Sequence, residues 1–223
     1  MTAAKKSAKA KDEASLKDRV LLAALAHAGG DGFVDRTLTR AGTEAGIGCE
    51  AMLHLFPDGP ASLVAHFSAW ADGRMERALS RRKLSEMKIR ERIREAALAR
   101  IGVLRPHKDA ARRAAAFLLT PNHAALGARL LYDTADAMWR LAGDASTDFN
   151  FYTKRAILMG VYSSTMMRWF NDADADEEAT RAFLDARIEN VMQFEKFKAE
   201  LRERTKDWPT FSDAFKGFGS QKS

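Results

Sequence analysis

A segment reading AGDASTDFNFYTKR alternates acidic and polar side chains, as a metal-binding loop does. Asp144, Ser146 and Asp148 fall on the first, third and fifth positions of a calcium loop. Such a loop needs glycine at its sixth position and glutamate at its twelfth, but the chain has Phe149 and Arg155 there. We therefore predict no calcium site, and instead a helix start at which Ser146 or Asp148 caps the free amides.

A second acidic segment, DADADEEATRAF, fails the same test. It begins at Asp172 and places Glu177 and Phe183 at the sixth and twelfth positions. We expect its acids at residues 174–178 to complement the dipole of the helix that follows. The histidines of the chain are scattered, without the H-E-x-x-H or E-x-x-H spacing of zinc and di-iron helices. No metal site is predicted.

Motifs for nucleophilic or phosphate chemistry are also missing from the sequence. It contains no G-x-S-x-G, no phosphate-binding P-loop and no G-x-G-x-x-G fingerprint. The single cysteine, Cys49, excludes an intramolecular disulfide and has no sequence-level sign of an activating base. We predict that the protein is not an enzyme and needs no cofactor.

Large apolar side chains are the remaining candidates for function, and they concentrate in the C-terminal half. Methionine suits the wall of a cavity for a flexible apolar ligand because it is unbranched and adaptable. Two interpretations stay open, a packed core or the lining of such a cavity. The set comprises Met138, Trp139, Phe151, Tyr152, Met159, Met166, Met167 and Trp169.

Phe151 and Tyr152 differ from the rest of that set by their position. They fall in the first turn of a predicted helix, next to Lys154 and Arg155. Adjacent residues point to different sides of a helix, so at least one of the two rings is expected at the surface. Because exposed aromatic side chains are typical of partner hot spots, we predict a docking role for this pair.

The elements that carry these residues are predicted to be helices throughout. Apolar residues recur at helical spacing, and the alternating runs of hairpins are absent from the sequence. Ser15 and Asp18 predict a capped start of the first helix. The later helices are expected at about 108–119, 122–142, 149–170 and 177–205. Helix 149–170 is apolar nearly all round and needs cover on several sides, which a homodimer would supply.

Positive charge is concentrated in one part of the chain. The net charge is +6, yet residues 81–113 hold twelve Lys or Arg against four Asp or Glu, so this segment alone carries +8. Within it, Ile89, Ile93, Ala97 and Ile101 form one helical stripe. The charges are interpreted as the solvated face of an amphipathic helix, with attraction to anionic lipid or an acidic partner as the alternative.

The composition favours a globular protein. The chain has 223 residues with 46% hydrophobic and 30% charged residues, and no apolar run of membrane-spanning length. Residues 1–14 lack the apolar core of a signal peptide and, with acids and no arginine, are a poor transit peptide. We predict a bacterial cytoplasmic protein, and the family resemblance given below implies a location peripheral to the inner membrane.

The segment AGIGCEAMLHLFP resembles the turn and recognition helix of TetR-type regulators. A DNA-reading helix needs donors for bases and cations or hydroxyls for phosphates. This one carries Glu50, Leu53 and His54 and no Lys, Arg, Ser or Thr. The resemblance therefore implies a TetR-like fold with an N-terminal helix-turn-helix, and the side chains argue against nucleic-acid binding.

Residues 133–192, with the block MWRLAGDASTDFNFYTKR, resemble the ubiquinone-biosynthesis accessory family, the ninth coenzyme Q protein. The similarity extends over about residues 17–195. It implies a dimeric, non-enzymatic protein that binds an isoprenoid lipid or quinone intermediate, associates with a membrane surface and presents the lipid to the demethoxyubiquinone hydroxylase. The alternative function is a TetR-type transcriptional regulator that responds to an apolar ligand.

The family resemblance also implies residue roles. Its hydroxylase contacts fall on Asp136, Met138, Phe151 and Tyr152, with Trp139 adjacent. The family often has Trp where this chain has Phe151, which keeps the apolar ring and loses the indole N–H. Lipid contacts are predicted at Phe117, Met159, Tyr162, Met166 and Trp169.

The chain is predicted to divide into four parts. These are a disordered basic tail (1–14), a helix-turn-helix-like domain (15–58), a helical lipid-binding and dimerisation domain (59–206) and a flexible or short amphipathic tail (207–223).

Overall fold

The computed structural model describes residues 2–144 and 149–205, with side chains placed in 12–144 and 151–193. The regular elements in these ranges are all helical, which confirms the all-α prediction. The α-helices are α1 (Thr2–Asp31), α2 (Asp35–Glu44), α3 (Cys49–Leu55), α4 (Pro60–Leu79), α5 (Ile89–Leu104), α6 (Lys108–Leu118), α7 (Ala124–Leu141), α8 (Phe149–Phe170) and α9 (Glu178–Thr205). The expected tail at 207–223 and the expected caps Ser146 and Asp148 lie outside the described residues.

The first helix starts earlier than the sequence predicts. It begins at Thr2, so residues 2–14 of the expected disordered tail are helical and the predicted start at Ser15 is wrong. Alanine and lysine, which dominate this stretch, are among the strongest helix formers, and no residue there stops the helix. Asp18 does not cap α1; its carboxylate bonds the His66 ring 2.8 Å away.

Two short helices occupy the segment predicted as a helix-turn-helix. Between α2 and α3 the backbone passes through Gly46, whose φ of +68° suits glycine, and Ile47 donates its N–H to the Gly42 carbonyl at 2.9 Å. A Cβ on Gly42 would lie 2.9 Å from Met52 Sδ, so the absence of a side chain lets α2 and α3 approach closely. On α3, Glu50, Leu53 and His54 face solvent.

The core lies in two clusters, and α4, α5, α7 and α8 contribute buried residues to both of them. Phe67 and Trp70 of α4 belong to the cluster formed with α1, α2 and α6. One to two turns later, Met75 and Leu79 of the same helix belong to the cluster formed with α5, α7, α8 and α9. α4 therefore spans the interior and joins the two clusters.

Many cations of the basic segment are bound within the chain. Arg94 pairs with Asp185 of α9, and Arg105 pairs with Glu177, at N–O distances of 2.5 and 2.7 Å. Arg100 is buried, so the interpretation of these charges as a solvated face is wrong at this position. Ile93, Ala97 and Ile101 of the predicted stripe are buried as expected, whereas Ile89 is exposed.

The turn between α8 and α9 is held by carboxylates. Glu177 has a φ of +54°, an uncommon value for a residue with a side chain, and it is buried. It accepts two hydrogen bonds from Arg105, at 2.9 and 2.7 Å, and one from Trp169 Nε1 at 2.7 Å. Asp172 accepts bonds from the Thr180 amide and hydroxyl at 2.9 and 2.6 Å. Asp172 thereby satisfies a free amide of the first turn of α9.

Candidate functional site

A cavity of about 650 Å³ lies between α4, α5, α6, α7 and α8. Its volume is within the range of pockets for small organic ligands. Bulky walls come from Phe67, Leu104 and Leu130, and small residues such as Ala114 of α6 and Ala128 of α7 leave the space open. The cavity is mainly apolar and suits a hydrocarbon chain.

Close packing at one corner shapes the cavity. α6 ends at Leu118 and α7 returns along it after a short 3₁₀ turn, Pro121–His123. A Cβ on Gly127 would lie 3.1 Å from the Leu118 carbonyl oxygen, tighter than ordinary contact, so glycine lets α7 cross the end of α6 at this distance. Both residues line the cavity.

The cavity reaches the surface beside this corner. Leu119 is 75% exposed and Met167 of α8 is 54% exposed, and both line the cavity. Ala124 and Ala128 of α7 are exposed and line it too. These four residues form the mouth, which is apolar and therefore permits a hydrocarbon chain to enter without desolvating a charge.

A hydrogen-bonded cluster occupies one wall of the cavity. Arg100 donates from Nε to Asp72 at 2.6 Å, from Nη1 to the Tyr162 hydroxyl at 2.7 Å and from Nη2 to the Ser68 hydroxyl at 3.0 Å. Thr134 donates its hydroxyl to both oxygens of Asp72 at 3.1 Å. We call Ser68, Arg100, Thr134 and Tyr162, which all line the cavity, the polar cluster.

The pKa values of both ionisable members of the polar cluster, Arg100 and Tyr162, are raised, so both side chains keep their protons. Burial by itself lowers the pKa of Arg100, but attraction to Tyr162 and Asp72 outweighs it and the pKa lies above its ordinary value. Burial raises the pKa of the Tyr162 hydroxyl, against the opposing effect of Arg100. Arg100 therefore stays charged and Tyr162 stays a neutral donor at physiological pH.

The predicted lipid contacts separate in the structure. Tyr162 and Met166 line the cavity, whereas Phe117, Met159 and Trp169 do not. Phe117 stacks on the His123 ring with centroids 3.9 Å apart, and Met159 packs on the second core cluster. Trp169 is completely buried and donates to Glu177. These three side chains therefore pack away from this cavity, and their predicted contact with lipid stays a prediction.

Arg100 is a lining residue that the sequence analysis missed. It follows Ile93 by two helical turns and precedes Leu104 by one. The helical period of 3.6 residues therefore places it on the buried stripe of α5. A charged residue on an apolar stripe is the signal that could have identified it, since a buried charge requires a partner. The partners themselves, Asp72 and Tyr162, lie far away in the sequence.

The residues assigned to partner binding lie around the first turns of α8. Phe151 and Tyr152 are in edge contact with ring centroids 5.1 Å apart, and Tyr152 is 65% exposed. Trp139 of α7 reaches the same place and donates its indole N–H to the Lys154 carbonyl at 3.0 Å. With Asp136, which is partly exposed, these residues form one surface, here called the aromatic patch: Asp136, Trp139, Phe151 and Tyr152.

Arg155 lies beneath the aromatic patch. Its side chain is only 2% exposed. It donates from Nε to Asp136 at 2.7 Å and from Nη1 to Asp144 at 3.2 Å. It also donates to the Phe151 carbonyl at 3.0 Å. Arg155 thereby ties α7 and Asp144, which follows it, to the first turn of α8. Arg155 is a second residue that was not predicted from the sequence, where it figures only as a charged neighbour of Phe151 and Tyr152.

Met138 does not belong to this surface. It is completely buried in the second core cluster. The direct contact with the hydroxylase that the family resemblance implies for Met138 therefore does not fit this structure. Consecutive positions of α7 point to different sides, and Met138 faces inward where Asp136 and Trp139 face outward. Its side chain packs under the patch.

The described part of the chain brings together no group of three His, Cys, Asp or Glu side chains that could hold a metal ion. Among the helices in that same part, none combines the length and apolar character that a membrane crossing requires.

Comparisons with known proteins agree with the resemblance in sequence. The family model of COQ9 matches residues 124–195, which include α7, α8 and the aromatic patch. The chain is 32% identical over 187 residues to "Ubiquinone biosynthesis protein COQ9, mitochondrial" of Rattus norvegicus, covering 81% of this chain and 60% of the relative. The protein of the same name in Homo sapiens is 31% identical over 187 residues, 81% of this chain and 58% of that relative.

A more distant relative extends the match. The Drosophila melanogaster protein of the same name is 24% identical over 207 residues, 90% of this chain and 63% of its own length. The chain thus covers less than two thirds of the length of these curated relatives. The prediction of a bacterial cytoplasmic location is wrong, because the matched relatives are named mitochondrial proteins of animals.

Proposed function

Because the chain belongs to the COQ9 family, we propose that it serves ubiquinone biosynthesis as a non-enzymatic accessory protein. In this proposal it binds an isoprenoid lipid or quinone intermediate in the cavity and presents it to the demethoxyubiquinone hydroxylase. The relatives are named as mitochondrial proteins, which supports a mitochondrial site of action. The proposal includes the predicted division into a helix-turn-helix-like domain (15–58) and a lipid-binding and dimerisation domain (59–206).

The cavity is the observation that carries the lipid-binding proposal. Its wall is apolar apart from the polar cluster and two serines, and its mouth at Leu119 and Met167 is apolar as well. Burying a hydrocarbon chain there is favourable by about 25 cal/mol for each Å² of apolar surface removed from water. An isoprenoid tail matches this requirement because it is apolar throughout.

The aromatic patch supports the proposal of hydroxylase binding. Tyr152 offers a large, exposed ring, and Arg155 holds the surrounding backbone in place through buried bonds. A rigid surface loses little conformational entropy when a partner binds. Aromatic side chains on such a surface are the type of residue that dominates binding energy at interfaces.

A homodimer remains part of the proposal. Ala156 and Gly160 lie on an exposed side of α8 and would let another helix approach closely. Association with a membrane surface, which the family resemblance implies, also remains a proposal, and the tail at 207–223 lies outside the described residues.

Native mass spectrometry with lipid extraction tests the central proposal. The protein is purified from a host that makes isoprenoid quinones, beside two variants with matched substitutions on α7. Ala128→Trp places a bulky ring in the mouth, whereas Ala125→Trp places it on an exposed position of the same helix that does not line the cavity. We expect isoprenoid lipid in the wild type and in Ala125→Trp, and its loss in Ala128→Trp. Lipid-free wild-type protein, or equal loading of all three, would contradict the proposal.

A further inference from the structure

The polar atoms of the cavity are concentrated at one place. Besides the polar cluster, the polar lining side chains are Ser163 and Ser164. Their hydroxyls donate to the Gly160 carbonyl at 3.3 and 2.8 Å, so both donors are used within α8. Among the residues that the structure describes, a ligand inside the cavity therefore meets a free side-chain donor only at the polar cluster.

Tyr162 offers a free donor at that place. Its hydroxyl oxygen accepts the bond from Arg100, so its own hydrogen must point in another direction. None of the described residues accepts a bond from this hydroxyl, although the side chain is buried. A buried donor without an acceptor costs about 1–3 kcal/mol, which an oxygen atom of a ligand would recover.

The charge of the polar cluster selects among oxygen-bearing ligands. Arg100 contributes a positive charge, and Asp72, 2.6 Å from its Nε, contributes a negative one, so the pair is neutral overall. An anionic head group would add an uncompensated charge to an apolar cavity, which is costly. A carbonyl, methoxy or phenol oxygen is neutral and accepts the Tyr162 hydrogen without that cost.

We propose that the polar cluster binds the oxygenated ring of a neutral isoprenoid quinone or phenol, with Tyr162 donating to a ring oxygen and the tail directed toward the mouth. The cavity then discriminates against carboxylate and phosphate lipids of the same length. This inference rests on the proposed lipid-binding function and adds to it the class of head group and the residue that recognises it.

Competition binding with three ligands tests this selectivity. The probes are a short-tailed ubiquinone, the hydrocarbon squalene and the anionic lipid farnesoic acid, each displacing a fluorescent apolar reporter from the full chain. Tyr162→Phe removes the hydroxyl and keeps the ring, while Tyr132→Phe makes the same change on α7 at a residue that does not line the cavity. We expect ubiquinone to bind wild type more tightly than farnesoic acid. Tyr162→Phe should weaken ubiquinone about tenfold and leave squalene unchanged, and Tyr132→Phe should change neither.

A charge variant provides an independent readout. Asp72→Asn keeps the shape of the side chain and removes the charge that compensates Arg100. We expect the affinity for farnesoic acid to rise relative to ubiquinone, and an unchanged ratio would overturn the proposal even if Tyr162→Phe does not fold. Equal weakening of all three ligands by Tyr162→Phe, or a wild-type preference for the acid, would overturn it too. Wild-type protein that binds none of the three would instead contradict the proposed function itself.

Discussion

The guanidinium of Arg155 lies against the ring of Phe151, with Cζ 3.3 Å from the ring centroid. The same guanidinium donates to Asp136 of α7 and to Asp144, which lies just after that helix. A surface aromatic residue is thus supported from below by a buried cation that is fully paired. This arrangement explains how a polar and aromatic surface can be rigid at the start of a helix.

Replacing Tyr152 by aspartate should abolish binding of the hydroxylase and leave the fold intact. Tyr152 is 65% exposed, so its replacement removes little packing within the chain, while a new charge opposes an apolar interface. We expect the dissociation constant to rise by at least about 100-fold, the effect of a hot-spot loss. Surface plasmon resonance with immobilised hydroxylase measures it. Leu53→Asp changes a similarly exposed apolar residue on α3 and should bind normally. If Tyr152→Asp unfolds the protein, the residue is part of the core and its assignment to the patch is wrong.

Arg155→Met should destabilise the protein strongly. The substitution removes a buried cation and leaves Asp136 and Asp144 without this partner, a loss of about 3 kcal/mol in the free energy of unfolding. Urea denaturation followed by circular dichroism measures the change. Arg140→Met is the control, since Arg140 is exposed and its N–O distances to Glu76 and Asp136 are 3.7 and 3.5 Å. Its loss should cost less than about 1 kcal/mol, and equal effects of the two substitutions would refute a special role for Arg155.

Leu119→Asp should slow the loading of lipid with little change in stability. Leu119 is 75% exposed at the mouth, so a charge there stays hydrated in the free protein, at a cost below about 1 kcal/mol from its place at the C-terminus of α6, but it must lose its water when a hydrocarbon tail passes. Transfer of a fluorescent isoprenoid from vesicles, followed by stopped flow, gives the rate. Ile89→Asp introduces the same charge at an exposed apolar residue that does not line the cavity and should load normally. An unchanged rate in Leu119→Asp would place the route of loading elsewhere.

The stability of the chain should fall in acid through Glu177. The hydrogen bonds from Arg105 and Trp169 hold the pKa of Glu177 below its ordinary value, with the bond from Arg105 as the largest cause. A carboxylate whose pKa is depressed on folding stabilises the protein fully above its unfolded pKa, about 4.3, and this contribution is lost as the pH falls through the folded pKa.

Glu177→Gln tests this dependence because the amide has the same shape and does not titrate. Urea midpoints between pH 7 and pH 3 should decline less steeply in the variant than in the wild type. Asp172, whose pKa is lowered chiefly by the bond from Thr180, still titrates in both proteins, so some decline persists. If the urea midpoint falls equally steeply with pH in both proteins, the pKa of Glu177 is the same in the folded and unfolded states.

The sequence was sufficient for features that depend on near neighbours. α8 occupies the predicted range, Phe149–Phe170, because its apolar pattern is continuous and polar sequence flanks it on both sides. α1 was missed at its start because residues 2–14 have the charge of a disordered tail and the propensity of a helix, and propensity prevailed.

Contacts between residues that lie far apart in the sequence could not be predicted from it. Helical spacing assigns Tyr162 and Trp169 to buried sides of α8, yet it does not say that one meets the cavity and the other meets Glu177. Arg100 and Tyr162 are 62 residues apart, and nothing local to either residue specifies the other. The polar cluster therefore became visible only when the helices were packed.

The sharing of α4 between the two core clusters has a consequence for cooperativity. Phe67 lines the cavity and packs with α1, and Met75, two turns later, packs with α7 and α8. Neither cluster can melt without exposing part of the other, so thermal unfolding should proceed as one transition. A ligand in the cavity would then raise the melting temperature of the whole chain, including α2 and α3, which it does not touch. Occupancy of the cavity would in this way stabilise the N-terminal helices as well.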